Sequence, residues 1–221
     1  MNGWHDLGGM HGFGPILSDS ECDEFVFQTK SEARVFALTV AVEYLDKWNL
    51  DESRYAIEDQ HPVDYLKNTY YQNWLIGLER LMIEKGLITD NELESGAMDA
   101  GATPNEFAPL HVNEVERYIY EGGTTQLPIK PSPQFEIGDM VSVANINSIG
   151  HTRLPRYVRG KRGLVQEHHS AHVLPDQNAL GNRMGEHLYS VYFTASEIWG
   201  ETNELDFGVC VDLWESYLEV V

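Results

Sequence analysis

The apolar periodicity of the chain changes near Pro133, and this change constrains the fold more than any other feature. Before it, apolar residues recur at helical spacing, in steps of three and four through Val35, Leu38, Val42 and Leu45. After it, apolar residues alternate with other residues, which is typical of strands. The alternating sets are Phe135, Ile137, Val141 and Val143; Tyr189, Val191 and Phe193; and Val209, Val211 and Leu213. The sequence therefore predicts an α+β chain, with helices first and a small sheet after them.

Local signals mark where the helices begin and end. In a capping box, a residue with a side-chain acceptor is followed three residues later by Glu or Gln. Thr29 with Glu32, Asn49 with Glu52, and Thr89 with Glu92 fit this pattern. Pro62 suits the first turn of a helix, and Gly86 suits the position just beyond a helix end. These signals predict helix starts near residues 30, 50, 62 and 90.

Composition divides the chain into four segments. Residues 1–28 are rich in glycine and carry scattered large apolar side chains, which predicts an extended arm that lies over another surface. Residues 29–95 form the helical N-terminal domain, and residues 96–133 form a linker with one helix around Val112 to Tyr120. Residues 134–221 have short strands and frequent turns, which favours a small β-barrel.

The chain is strongly acidic, with one basic island. Its 35 Asp and Glu against 15 Lys and Arg leave a net charge of −20. This disfavours nucleic acid as a partner, because affinity for a polyanion depends on exchanging its counterions for protein cations. Five cations nevertheless lie within the ten residues 153–162, namely Arg153, Arg156, Arg159, Lys161 and Arg162. The island therefore predicts a different anionic partner.

The same island suggests an alternative function. Gly138-Asp139, followed by Arg159-Gly160-Lys161, resembles the strand–loop–strand pattern of KOW-type modules, which are SH3-like barrels that bind RNA. The pattern favours the barrel fold, whereas the net charge argues against RNA because it repels a polyanion at long range. A non-catalytic SH3-like module that binds RNA or protein is kept as the alternative.

Cysteine and histidine usage gives no metal site. Cys22 and Cys210 are the only cysteines and are far apart in sequence, so they make neither a disulfide framework nor a cysteine-based metal site. The N-terminus lacks a signal-peptide pattern and no apolar run reaches about 18 residues, so we expect a soluble, cytoplasmic protein without a membrane span. His168, His169 and His172 are interpreted as ordinary residues of a surface loop, with a metal or proton-transfer role as the alternative.

An aromatic row follows the polar pair Asn68-Thr69. The row consists of Tyr65, Tyr70, Tyr71 and Trp74. Large aromatic side chains beside polar ones can form the wall of a ligand pocket. Such a row is also common in a helical core, and the pattern alone leaves both readings open.

Five segments together resemble the β subunit of nitrile hydratase. They are MNGWHDLGGMHGFGPI, LDESRYAIE, NTYYQNW, GHTRLPRYVRGKRG and VDLWESYLE, and they run from residue 1 to residue 219 in the family's order. The resemblance implies a helical N-terminal part with an extended glycine-rich arm, followed by an SH3-like β-barrel. It also implies an α subunit that binds non-corrinoid cobalt or non-haem iron on a cysteine-rich loop, in an αβ heterodimer or (αβ)2 heterotetramer. The implied reaction is hydration of small nitriles to amides, a lyase activity, and the chain itself would bind no metal.

The resemblance assigns roles to five residues. Arg54 and Arg153 match the family arginines that hydrogen-bond the metal-ligating cysteines of the α subunit, which are oxidised to sulfenic and sulfinic acid. A guanidinium matches two anionic oxygens bidentately, whereas lysine offers a single point charge. Tyr70 is expected to hydrogen-bond near the site, and Leu50 and Trp74 are expected to line the nitrile pocket.

Three further features bear on substrate and metal. Ser53 stands where family members usually carry an aromatic residue, which would widen or polarise the pocket wall. The segments HTRLPRYVRG and HHSAHVLPD resemble cobalt-type members, because iron-type members tend to carry Pro-Ala where Pro155-Arg156 stands. In the related thiocyanate hydrolase the two halves of such a chain are separate subunits, so the uninterrupted chain favours nitrile hydratase.

Overall fold

The computed structural model describes residues 2–15, 26–102, 107–200 and 207–221. The chain divides into two compact units, each with its own core of buried apolar side chains. The sheet unit consists of Met1–Asn2, Asp6–Gly9 and Gly123–Val221, and the helical unit of Gly3–His5 and Met10–Gly122. The four-segment division at residues 28, 95 and 133 stays a prediction.

The helical unit has six helices within its described residues. They are α1 (Lys30–Glu43), α2 (Leu50–Glu58), α3 (Pro62–Lys67), α4 (Tyr70–Glu84), α5 (Asp90–Ser95) and α6 (Val112–Glu121). The capping boxes that begin at Thr29, Asn49 and Thr89 are confirmed. Pro62 occupies the first turn of α3, and Gly86 lies just beyond α4 with φ of +68°. A fourth capping box, which joins Thr69 to Gln72 at the start of α4, was missed although its sequence pattern is present.

Close packing of α2 on α4 depends on a glycine. The core of the unit contains buried Val42, Trp48, Ala56, Leu78 and Leu81. At Gly77 of α4, a Cβ atom would lie 2.6 Å from Ile57 Cγ1 and 3.1 Å from the backbone nitrogen of Ile57. Any side chain at this position would push the two helices apart. This approach sets the positions of the α2 and α4 side chains relative to one another.

The sheet unit contains a five-stranded antiparallel sheet. Its strands are β1 (Met140–Val143), β2 (Arg162–Val173), β3 (Gly185–Thr194), β4 (Gly208–Trp214) and β5 (Leu218–Val220), in the order β4-β3-β2-β1-β5. Short helical turns α7 (Pro175–Asn178) and α8 (Ala195–Trp199) lie between strands. Mixed helix and sheet architecture is thus confirmed. Among the described residues β4 and β5 are edges that do not pair with each other, so the sheet is not closed and the barrel stays a prediction.

The alternating residues make up half of the buried core of the sheet unit. Val141, Val143, Tyr189, Val191, Phe193 and Leu213 are essentially inaccessible to solvent, and Val209 and Val211 pack against the same core. The prediction for Ile137 is wrong, because this side chain is 68% exposed. A turn in which the Asp139 N–H donates to the Glu136 carbonyl separates Phe135 from β1 and interrupts the alternation.

Within the sheet unit, Asp6–Gly9 lie against part of the basic island. The backbone N–H of Arg156 donates to Asp6 Oδ2 at 2.8 Å, and its Nη2 donates to the Asp6 carbonyl at 2.8 Å. Gly9 has φ of +72°, and a Cβ there would lie 2.7 Å from Tyr157 Cβ. Arg159 donates to the Leu154 carbonyl and to Asn2. Arg156 and Arg159, which had no predicted role, therefore bind Asp6 and Asn2 of this same chain.

The three clustered histidines lie on strand β2, so the prediction that they occupy a loop is wrong. His168 pairs with Tyr189 of β3 and His172 with Glu186, with a register irregularity between His168 and Ala171. His168 Nε2 lies 3.0 Å from His187 Nδ1, and His169 Nε2 lies 2.9 Å from Ser190 Oγ. Both contacts join a histidine of β2 to a side chain of the neighbouring strand β3, as is usual for cross-strand neighbours in a sheet.

Acidification should destabilise the sheet unit through His168. Burial lowers the pKa of His168, the charges of His187 and His169 lower it further, and Glu215 raises it. The unfolded chain therefore takes up a proton below about pH 6.5 that the folded chain resists, and stability falls as the pH drops through this range. His168→Phe keeps a ring near Tyr189, with which His168 stacks at 5.0 Å, but cannot titrate.

The measurement is the free energy of unfolding of the chain at about pH 7.5 and about pH 5.5. His168→Phe should lose less stability between these conditions than the wild type. His111→Phe, at an exposed histidine whose side chain makes no cap hydrogen bond to α6, is the control and should lose as much as the wild type. Equal losses in wild type and His168→Phe would show that His168 is not the group responsible.

Two further sequence expectations concern cysteines and membranes. Cys210 is an exposed free thiol on β4, and Cys22 lies outside the described residues. None of the helices in the described ranges has the length and apolar character needed to cross a membrane.

Candidate functional site

A pocket of about 330 Å³ lies in the helical unit, where α1, α2 and α4 meet. Its lining includes four of the five residues predicted for the site: Leu50, Arg54, Tyr70 and Trp74. The fifth, Arg153, belongs to the sheet unit. A second hollow of about 510 Å³ at residues 86–102 contains none of the predicted site residues. The structure therefore brings together predicted residues that come from two separate sequence motifs.

Arg54 and Leu50 reach the pocket from the first turns of α2. The Asn49 side chain caps this helix by accepting from the backbone N–H groups of Asp51 and Glu52. Residues four apart share a helix face, which places Leu50 and Arg54 side by side. Arg54 Nη1 donates to Oδ1 of the buried Asp51 at 3.2 Å, while 43% of the Arg54 side chain remains exposed. The guanidinium is thus held on one side by a carboxylate and is open to solvent on the other.

Tyr70 and Trp74 enter the pocket from the start of α4. They are also four residues apart, and their ring centroids lie 5.4 Å from each other. Tyr71 contacts both rings, at 5.2 Å and 5.6 Å, without lining the pocket. Tyr70 is 66% exposed. Of the aromatic row, Tyr70 and Trp74 line the pocket, whereas Tyr65 and Tyr71 do not.

The pocket also contains a polar pair, of which Ser53 was noted from the sequence and Glu43 was not. Ser53 Oγ donates to Glu43 Oε1 at 3.1 Å, and both residues line the pocket. Burial raises the pKa of the Glu43 carboxyl, and the hydrogen bond from Ser53 lowers it by a smaller amount. Ser53 drew attention as a departure from the family pattern, whereas Glu43 belongs to no motif. The one signal was an acidic residue at the C-terminal end of α1, where the helix dipole disfavours negative charge.

Arg153 lies on the connection between β1 and β2 of the sheet unit. Its side chain is exposed, and its neighbours Thr152 and Leu154 are buried. The Arg153 backbone N–H donates to Tyr217 Oη at 3.4 Å, and Thr152 Oγ1 donates to the same hydroxyl at 3.2 Å. Tyr217 in turn donates to Asp176, and burial together with that carboxylate raises the pKa of Tyr217. This network fixes the backbone from which the Arg153 guanidinium projects.

Comparison with known families covers nearly the whole chain. Residues 1–117 match the model "Nitrile hydratase beta subunit, N-terminal", and residues 124–220 match "Nitrile hydratase beta subunit, C-terminal". The cobalt-containing nitrile hydratase subunit beta of Pseudonocardia thermophila is 36% identical over 100% of this chain and 97% of its own length. The nitrile hydratase subunit beta of Pseudomonas putida is 38% identical over 99% of each chain.

Two other matches have related descriptions. The low-molecular weight cobalt-containing nitrile hydratase subunit beta of Rhodococcus rhodochrous is 38% identical over 99% of each chain. Among solved structures, the apo-enzyme of thiocyanate hydrolase from Thiobacillus thioparus matches 41% of this chain and 78% of its own, with 25% identity and a TM-score of 0.39.

Proposed function

This chain belongs to the nitrile hydratase β-subunit family, and from that premise we propose that it hydrates small nitriles to amides together with an α subunit. The observation that carries the proposal is the pocket in which Arg54, Tyr70, Leu50 and Trp74 meet. Two motifs separated in sequence, LDESRYAIE and NTYYQNW, contribute to it. Its volume of about 330 Å³ suits a small ligand.

The proposal assigns the metal to the α subunit, where it would act as a Lewis acid toward the nitrile. Cobalt is the proposed metal, with iron as the alternative, because two of the similar β subunits are described as cobalt-containing. In the described part of this chain, no group of three or more His, Cys, Asp or Glu side chains fits a metal ion. We propose that this chain supplies groups around the metal centre.

Arg54 and Arg153 are the proposed hydrogen-bond donors to the partner's oxidised cysteines. A sulfenate or sulfinate carries negative charge on oxygen, and a guanidinium can donate to it through two parallel N–H groups. The role proposed for Arg54 is supported by Asp51. Its Oδ1 lies 3.2 Å from Arg54 Nη1 and would orient the guanidinium before the partner binds. For Arg153 the support is Tyr217, whose hydroxyl accepts hydrogen bonds from the Arg153 backbone N–H and from the Thr152 side chain.

Leu50, Trp74 and Tyr70 are the proposed contacts for the substrate. Leu50 and Trp74 offer apolar area that would bind the hydrocarbon part of a nitrile and exclude water from it. The exposed Tyr70 hydroxyl can donate a hydrogen bond to the nitrile nitrogen or to the product amide. The finer features proposed with this function are an SH3-like barrel for residues 134–221 and an αβ or (αβ)2 assembly.

Co-expression with the cognate α subunit tests the proposal. The two chains should co-purify in equal amounts, and the complex should hydrate small nitriles while this chain alone does not. The alternative of an RNA- or protein-binding module predicts the opposite pattern. A lone chain that is a stable monomer, binds RNA and gains no nitrile turnover with any α subunit would contradict the proposal.

A further inference from the structure

The pocket wall contains a carboxylate whose presence the packing of the unit does not explain. Glu43 is the last residue of α1, a position at which the helix dipole disfavours negative charge, and the last turn of α1 has no basic residue. Burial disfavours the charge further and raises the pKa of the Glu43 carboxyl. An apolar residue here would fold more favourably, so the carboxylate points to a role other than stability.

The hydrogen-bonding capacity of Glu43 is only partly used. A carboxylate has two acceptor oxygens with about four lone-pair positions. In the part of the chain that the structure describes, one hydrogen bond reaches it, from Ser53 Oγ to Oε1 at 3.1 Å. Oε2 accepts none from these residues. This oxygen is therefore open to accept a hydrogen bond from a molecule that occupies the pocket.

None of the other polar groups of the lining donates to Oε2 within the described residues, and the buried Trp48 Nε1 among them has no acceptor either. Thr39 donates its hydroxyl to the Val35 carbonyl at 2.9 Å. Arg54 donates to Asp51, and no hydrogen bond joins it to Glu43 among the described residues. The Ser53 hydroxyl is already committed to Glu43. Among these side chains none donates to Oε2, so water or a molecule in the pocket supplies its hydrogen bond.

Accepting the proposed function as the premise, we propose that Glu43, held by Ser53, makes this pocket selective for small nitriles that carry a hydroxyl group. The substrate hydroxyl donates to the Glu43 carboxylate while Leu50 and Trp74 contact the hydrocarbon portion. An apolar nitrile of equal size leaves the carboxylate without this donor and binds less well. Sites built around a hydrogen bond discriminate strongly against analogues that lack the matching group.

The test compares 3-hydroxypropionitrile with butyronitrile, which have the same number of heavy atoms and differ in one hydroxyl. The assembled complex with the α subunit is assayed at about pH 8, above the ordinary range of a glutamate pKa. The measured quantity is the ratio of the two kcat/KM values. Glu43→Leu should lower this ratio about tenfold, and Glu43→Gln, which keeps a neutral acceptor, about threefold.

Glu79→Leu is the matched control. Glu79 is a half-buried glutamate on α4 whose pKa is also raised by burial, but it does not line the pocket. Its variant should keep the wild-type ratio. If Glu43 served only to join α1 to α2, its variants would change stability and leave the ratio unchanged.

The outcomes separate this inference from the function on which it rests. Complexes that hydrate both nitriles with the same ratio in wild type and Glu43→Leu would overturn the inference and leave the proposed function standing. A wild-type complex that hydrates neither nitrile would overturn both. If Glu43→Leu fails to assemble, the conservative Glu43→Gln decides the question.

Discussion

Replacing Arg153 by lysine should leave assembly with the α subunit intact and lower nitrile turnover about 100-fold or more. Lysine keeps the positive charge but cannot make the two parallel N–H contacts that a guanidinium makes with a sulfinate. The Arg153 backbone is held by Tyr217, which the substitution does not touch. The measurement is kcat of the purified complex, with co-purification as the check on assembly.

Arg162→Lys provides the control for this substitution. Arg162 lies in the same basic island, and its contact to Glu197 is made by the backbone N–H at 3.0 Å. The same chemical change there should leave turnover near the wild-type value. Wild-type turnover in Arg153→Lys would refute the role assigned to the guanidinium.

Replacing Gly77 by leucine should destabilise the helical unit by about 3 kcal/mol and abolish the pocket. The Cβ alone would approach Ile57 Cγ1 to 2.6 Å and the Ile57 backbone to 3.1 Å, so the clash cannot be relieved by rotating one side chain. Because Arg54 lies on α2 and Trp74 on α4, separating these helices also separates the two halves of the pocket wall. Chemical denaturation of the chain and turnover of the complex measure the two effects.

Ile76→Leu is the matched control for this prediction. It places the same side chain one position earlier on α4, where Ile76 is exposed. Its unfolding free energy should stay within about 0.5 kcal/mol of the wild type. A Gly77→Leu chain as stable as the control would mean that α2 and α4 do not need this close approach.

Features that depend on neighbouring residues could be predicted from the sequence. A capping box needs only two residues three apart, so the helix starts after Thr29 and Asn49 were identified correctly. Alternation likewise predicted the burial of Val191 and Phe193. Ile137 failed because it lies within the Glu136–Asp139 turn and is therefore not a strand residue.

Features that depend on residues far apart in sequence needed the structure. Nothing in the chain near Arg156 indicates that its partner is Asp6, 150 positions away. Glu43 and Ser53 meet because α1 and α2 pack together, and neither belongs to a motif that links them. The resemblance to a family supplied Arg54 and Trp74 as candidates, but the pocket that contains both is a property of the folded helices.

The location of the histidines illustrates the same limit. A run of polar residues such as HHSAH lacks strand alternation, and sequence reasoning therefore placed it in a loop. In the fold it pairs with β3 through a register irregularity, and Ser170 adopts φ of +68° there. A bulge of this kind allows polar residues to continue a strand without burying all of them.

The most direct test of the account is nitrile turnover when this chain is added stepwise to a fixed amount of its separately purified, metal-loaded α subunit. The account predicts no turnover from either chain alone, and turnover that rises with each addition and reaches a plateau at equal molar amounts. Turnover by the α subunit alone that this chain does not increase, or no turnover at any ratio, would contradict it.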